Sequence, residues 1–131
     1  MALTPTTPPP PAGWRAGPFG YQRLEAFAVA RAALARGHAL ARRLPRGYGK
    51  LQDQLIRALL GAYLQVAEAA SRQGADRAAR FRAAGAEAAE AAAALEAVVL
   101  LGLAREAEVA PVGELLARLC AMLTRLAAPR A

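Results

Sequence analysis

Apolar residues recur along most of the chain at intervals of three and four positions, which is the spacing of one helix face. Four such stretches predict helices over about residues 21–43, 51–72 and 75–101, and from near Pro111 to just before Pro129. The breaks fall at Leu44-Pro45, at residues 71–74 and at Gly102, a helix-ending glycine. Because short loops join neighbouring helices, the pattern predicts an all-α, antiparallel up-and-down four-helix bundle.

Each predicted helix carries a stripe of apolar residues that would face the bundle core. In chain order the four stripes are Leu24, Phe27, Leu34 and Leu40; Leu51, Leu55, Ala58, Leu59, Ala62, Val66 and Ala69; Phe81, Ala84, Ala88, Ala92, Leu95 and Val99; and Leu115, Leu119, Met122 and Leu126. On the second helix, apolar surface extends further, to Ile56, Leu60, Tyr63 and Leu64. One core needs one stripe, so the excess predicts a subunit interface and a homo-oligomer.

Polar residues on the second helix also follow a helical spacing. They form what we call the polar seam: Gln54, Arg57, Gly61, Gln65, Glu68 and Arg72. Unpartnered polar groups are costly to bury, so we expect the polar side chains of this seam to set helix or subunit register. Arg57 should pair with a carboxylate, from Glu68 or Glu90. Gly61 leaves room for a close approach of a neighbouring helix.

Composition agrees with a helical domain of 131 residues, because hydrophobic residues make up 56% of the chain, many of them alanine, and aromatic residues only 5%. Residues 1–20 contain four consecutive prolines and predict a disordered, proline-rich tail, with Trp14 and Phe19 as its docking groups, ahead of a bundle over residues 21–131.

This tail lacks the pattern of a signal peptide, and no stretch suits a membrane span. The single cysteine, Cys120, is expected to be a small buried hydrophobic residue. Together these features predict a cytoplasmic protein.

Positive charge is concentrated at the start of the chain. Residues 1–50 hold eight basic residues and one acid, a net charge of +7, whereas residues 51–131 hold nine of each. Such clustering indicates a polyanionic partner. Guanidinium groups bind phosphates in bidentate fashion, and Tyr48 lies among them as a stacking group. The candidate nucleic-acid-binding residues are Arg36, Arg42, Arg43, Arg46 and Lys50.

Catalytic and metal-binding patterns are weak. Di-iron bundles use Glu-x-x-His pairs, but the only histidine is His38, and no such pair occurs. Glu87 and Glu90 share a helix face that Glu68 could approach, and we expect these carboxylates to pair with arginines or to be solvated. Ser71 has no partner for nucleophilic catalysis, and no glycine-rich phosphate loop is present. We therefore expect neither an enzyme nor a cofactor.

Several residues together resemble the four-helix-bundle proteins of the 23S rRNA intervening-sequence family. The resemblance runs over roughly residues 21–127 and rests on the helix-ending Leu44-Pro45, a Gln-x-x-Arg-Ala motif and an Asn-Ile-Ala-Glu-Gly-like motif. The matching residues are Gln54, Arg57, Ala58, Ala67 and Glu68, together with the closing run Ala121-Met122-Leu123 and Leu126. Gln65, Val66 and Ala69 depart from the second motif.

The resemblance implies a ring-shaped homopentamer with a basic surface that binds RNA or DNA, and no enzymatic activity. The superfamily also includes the accessory variability determinant of diversity-generating retroelements, a partner of a reverse transcriptase. A Gly-Trp-like ending typical of that branch is absent, which favours the intervening-sequence branch. Two other hypotheses stay open: an adaptor ring that binds another protein through the tail, and a bundle that holds a metal or small ligand.

Overall fold

A computed structural model describes residues 20–129 of the chain, apart from the side chains of Gln22 and Arg23. A short 3₁₀ helix (Gly20–Arg23) precedes four α-helices. These are α1 (Glu25–Arg42), α2 (Gly49–Ala70), α3 (Gly74–Leu100) and α4 (Glu106–Ala127). Residues 20–129 contain no strand, which confirms the all-α prediction. The predicted tail falls almost entirely outside the described residues, and so do Trp14 and Phe19.

The four helices form a ring of neighbours: α1 packs against α2, α2 against α3, α3 against α4, and α4 against α1. Cross-helix pairs show that α2 and α3 are antiparallel, because Arg57 contacts Glu90 and Glu68 contacts Arg80. The α1–α2 and α3–α4 connections consequently lie at one end of the bundle, which we call the double-loop end. The α2–α3 connection lies at the opposite end.

The core is built mainly from leucine, valine and alanine. Leu55, Leu59 and Val66 of α2 are buried, as the apolar stripe predicts, and Phe81 of α3 is fully buried. Gly37 of α1 packs directly against the Leu59 side chain, so that a Cβ at this position would overlap it. This glycine therefore lets α1 and α2 approach closely.

The predicted stripe of α3 is wrong at Ala92 and Val99, whereas its other four residues are buried. Ala91 and Val98 are buried, whereas Ala92 and Val99 are only partly buried. The shift is one residue, or about 100° around the helix. An alanine-rich helix specifies its buried face weakly, because adjacent alanines are equivalent in size and polarity.

The predicted start of the fourth helix is also wrong. It begins at Glu106 rather than near Pro111, so the acidic segment forms its first turn and Pro111 lies inside it. The Glu108 carboxylate accepts hydrogen bonds from the Arg105 backbone N–H (3.1 Å) and from Arg105 Nε (3.3 Å). This capping box closes the helix start, and Glu106 and Glu108 offset its positive dipole end.

The capping carboxylate makes stability depend on pH. Hydrogen bonds from Arg105 and the nearby charge of Arg43 lower the pKa of Glu108 below its ordinary value of 4.5. A carboxyl group with a lowered pKa stabilises the folded state above pH 4.5, and this contribution is lost as the pH falls through the folded-state pKa. Glu108→Gln should therefore lower Tm at pH 7 and have a much smaller effect at pH 3, in thermal unfolding followed by circular dichroism.

A suitable control is Glu114→Gln, since Glu114 is exposed and forms no ion pair within residues 20–129. This variant should shift Tm little at either pH. A Glu108→Gln effect of equal size at pH 7 and pH 3 would contradict the role of the charge.

Candidate nucleic-acid interface

Four basic side chains surround the connection between α1 and α2. We call Arg42, Arg43, Arg46 and Lys50 the basic junction, and all four are exposed. Helix α1 ends here because proline at position 45 disfavours helical backbone in the residue before it. Gly47 then adopts a positive φ of 97°, which reverses the chain before α2 begins at Gly49. Local chain geometry alone therefore brings these four residues together.

The side chains of the basic junction have no bound carboxylate in the described part of the chain. Several other arginines form salt bridges, for example Arg72 with Glu68 at 3.1 Å and Arg118 with Glu25 at 2.9 Å. Arg82 and Arg125 form none within residues 20–129. Within residues 20–129, no ion pair joins any residue of the basic junction to an acid. Its four charges are thus available to an external anion.

The start of α2 adds to the positive potential of the junction. Helices α1, α3 and α4 each carry an acidic residue in the first turn, whereas α2 has none and carries Lys50 instead. Its N-cap residue, Tyr48, makes no side-chain capping hydrogen bond. The backbone N–H groups of Gly49 and Lys50 therefore keep their hydrogen-bonding capacity for phosphate oxygens.

Arg36 belongs to the predicted set but has a different environment. It lies on α1 seven residues before Arg43, so both side chains are on nearly the same side of the helix. Arg36 is partly buried, in contrast to the exposed basic junction. The structure thus places it beside the candidate site rather than within it.

Helix α4 brings acidic residues to the same end of the bundle. The charge of Arg43 lowers the pKa of Glu108, which shows that these two side chains influence each other across α1 and α4. Glu106 lies in the same turn as Glu108. The local field is consequently less positive than the count over residues 1–50 indicates. Arg42, Arg46 and Lys50 remain as the strongest phosphate-binding candidates.

The polar seam lies along the contact between α2 and α3. Arg57 bonds Gln54 and pairs with Glu90 at 3.5 Å, which confirms the expected carboxylate partner, while Glu68 pairs with Arg72 instead. Because Gln54, Arg57 and Arg72 are exposed, the seam is not buried within one chain, and the desolvation cost assumed for it does not arise there. Gln65 is the exception, since its Oε1 is buried without a hydrogen-bond partner.

Gly61 has the close-packing role expected of it. A Cβ at this position would lie 2.7 Å from Oε2 of Glu87 on α3. Glu87 is thus held against α2, whereas Glu68 and Glu90 bind arginines further along the seam. Within the described residues, no three His, Cys, Asp or Glu side chains converge as a metal site.

Two leucines of α2 remain uncovered. Leu60 and Leu64 are 42% and 52% exposed, one helical turn apart, on the outer side of the helix. Ile56 and Tyr63, the other two residues of the predicted excess, are partly buried and pack on the core. The Tyr63 ring packs against the Phe27 ring of α1 in a tilted arrangement, with ring centroids 4.8 Å apart. Of the four residues in the predicted apolar excess, only Leu60 and Leu64 are therefore exposed.

Neither Cys120 nor His38 builds a reactive site. Cys120 is partly buried, with Sγ 3.9 Å from the Gly85 carbonyl oxygen, and burial raises the pKa of its thiol. A raised pKa lowers the fraction of nucleophilic thiolate at neutral pH. His38 is exposed on α1, four residues before Arg42 and so one turn away on the same side.

Fold and surface together define an all-α, four-helix domain with an unpaired basic junction at its double-loop end. No protein-family model matches the chain, and no curated protein is significantly similar to it. Among the helices in residues 20–129, none has both the length and the apolar character that crossing a membrane requires.

Proposed function

We propose that this chain is a non-enzymatic, homo-oligomeric protein that binds nucleic acid through backbone phosphates. The observation that carries the proposal is the basic junction: four exposed cations without ion pairs, beside the uncapped start of α2. Contacts to phosphate position a polynucleotide without reading its sequence, so we expect low sequence specificity. Tyr48, 36% exposed between Arg46 and Lys50, offers a ring for stacking on an unpaired base.

Oligomerisation would place several copies of the basic junction on one particle. The exposed Leu60 and Leu64 support a contact with a second copy. The pentameric ring and the link to a reverse transcriptase of a diversity-generating retroelement come from the family resemblance alone. Linked copies increase avidity without new contacts, which would offset the acidic residues of α4.

The binding test uses the purified chain with labelled structured RNA, single-stranded DNA and duplex DNA across a salt series. We expect log Kd to rise linearly with log salt, with a slope of roughly 0.7–0.9 per neutralised phosphate. The rank of the three ligands identifies the preferred nucleic acid. Absence of binding at low salt would contradict the proposal and would favour the adaptor hypothesis, in which residues 1–20 with Trp14 bind another protein.

The subunit interface is tested separately by replacing Leu60 and Leu64 with serine. The double variant should shift the chain from oligomer to monomer in size-exclusion chromatography with light scattering, because burial of the exposed part of each leucine contributes on the order of 1 kcal/mol. Its helical content should be unchanged, since both side chains are outside the core. A wild-type chain that is monomeric, or a variant with the wild-type mass, would exclude this interface.

A further inference from the structure

Large apolar side chains are unevenly distributed over the surface. Five are exposed in the described part of the chain, and three of them, Tyr48, Leu100 and Leu101, lie at the double-loop end. Leu100 and Leu101 are 76% and 56% exposed, the highest values of the five. Neither leucine packs on the core, although Leu103, two residues further on, does.

The end of α3 explains this exposure. Gly102 has a positive φ of 71°, and the Leu103 N–H bonds the Val98 carbonyl at 3.0 Å. This is the 6→1 hydrogen bond of a Schellman motif, in which the residue after the glycine turns back onto the helix. Leu103 therefore covers the last turn of α3, while Leu100 and Leu101 remain on its outer side.

The register between α2 and α3 brings these leucines to the basic junction. Arg57 lies opposite Glu90, and Gly61 lies opposite Glu87, so each step up α2 corresponds to a step down α3. Extended to the helix ends, this register puts Leu100 at the same height along the bundle as Tyr48. Tyr48 itself lies between Arg46 and Lys50 in the sequence. Aliphatic, aromatic and cationic side chains thus share one end of the bundle.

We propose that the double-loop end docks on an anionic lipid surface, with Leu100 and Leu101 inserted at the headgroup boundary. Tyrosine and leucine suit the interface between headgroups and acyl chains, and the cations of the basic junction complement lipid phosphates. A polynucleotide backbone offers no apolar phase for two adjacent leucines. A second copy placed end to end would bring two basic junctions together, which like charge opposes.

Acidic groups at the double-loop end weaken its attraction to anionic lipid. Glu106 and Glu108 begin α4, and Glu96 lies one turn before Leu100. Glu108 is already bound to Arg105, which reduces its repulsion of lipid phosphate. We therefore expect reversible binding that requires both the leucines and anionic lipid, as is usual for shallow insertion.

The test is co-sedimentation of the full chain with vesicles of phosphatidylcholine alone or mixed with phosphatidylglycerol. Wild type should bind the mixed vesicles and bind pure phosphatidylcholine at least tenfold more weakly. Leu100→Ser with Leu101→Ser should weaken binding to the mixed vesicles by roughly tenfold or more, as expected for losing buried leucine area. Leu100→Met with Leu101→Met, which keeps the apolar character, should retain wild-type binding.

The same variants separate this proposal from nucleic-acid binding. The serine pair should bind RNA like wild type, because it keeps every cation of the basic junction. Lack of wild-type binding to the mixed vesicles, or equal binding of the serine and wild-type chains, would overturn the lipid proposal. So would a serine pair whose main change is a smaller oligomer in solution, since the leucines would then face another copy.

Discussion

Replacing Arg42 and Arg46 by glutamate is expected to lower RNA affinity by on the order of a hundredfold at low salt. Both side chains are exposed and form no ion pair within residues 20–129, so reversal removes phosphate contacts and adds repulsion. Fewer neutralised phosphates also mean a shallower salt dependence. The measurement is fluorescence anisotropy with labelled RNA across a salt series.

Arg43 is left unchanged in this variant. Its charge influences Glu108, the carboxylate that caps α4, so that reversing it would disturb helix capping as well as binding. The double variant should therefore lower Tm only slightly, through the loss of the Arg42 cation from the last turn of α1. Any loss of RNA affinity can then be assigned to the lost cations of the basic junction, because the fold is retained.

A matched control reverses Arg82 and Arg125 instead. These two arginines are also exposed, have no ion pair in the described part of the chain, and lie on α3 and α4 away from the junction. The control changes net charge by the same amount. Equal losses of affinity in the two double variants would mean that RNA responds to total charge, and the basic junction would lose its assigned role.

Phe81→Ala is expected to destabilise the bundle by about 3–5 kcal/mol. The Phe81 side chain is fully buried, and its neighbours on the buried face of α3 are alanines at positions 84, 88 and 91. Such small residues cannot expand into the space that a lost ring would leave. The Arg77 guanidinium also lies over the ring, 4.9 Å from its centroid.

Urea denaturation followed by circular dichroism at 222 nm measures this loss through the midpoint at constant m-value. Phe81→Leu serves as the comparison, because it keeps most of the volume and should cost less than half as much. A loss below about 1 kcal/mol for alanine would contradict this expectation, because it would mean that neighbouring side chains fill the space left by the ring.

The sequence predicted the helix number, the antiparallel order and a carboxylate partner for Arg57, because each follows from spacing or charge within long periodic segments. It left Glu68 and Glu90 open as that partner, and the structure selects Glu90. The sequence missed the start of α4, because Pro111 is typical of a first helical turn. The capping box between Arg105 and Glu108 begins the helix five residues before that proline. A helix start set by a side chain that reaches back along the chain is difficult to recognise from periodicity.

The candidate site was only partly predictable. Arg42, Arg46 and Lys50 are close in sequence, so their clustering could be predicted without a fold. The influence of Arg43 on Glu108 depends on how α1 and α4 pack. The common level of Leu100 and Tyr48 depends on the register between α2 and α3. Charge counts along the chain cannot show which acids the fold brings to a basic surface.

The positions of the first and last described residues bear on how the chain can be tethered or labelled. Gly20 and Pro129 lie in the half of the bundle away from the double-loop end, since α1 runs towards that end and α4 runs away from it. The 18 residues of α1 alone span about 27 Å. A sensor chip or fluorophore attached beyond Pro129 would therefore leave the basic junction unobstructed, with its cations directed towards the dissolved ligand.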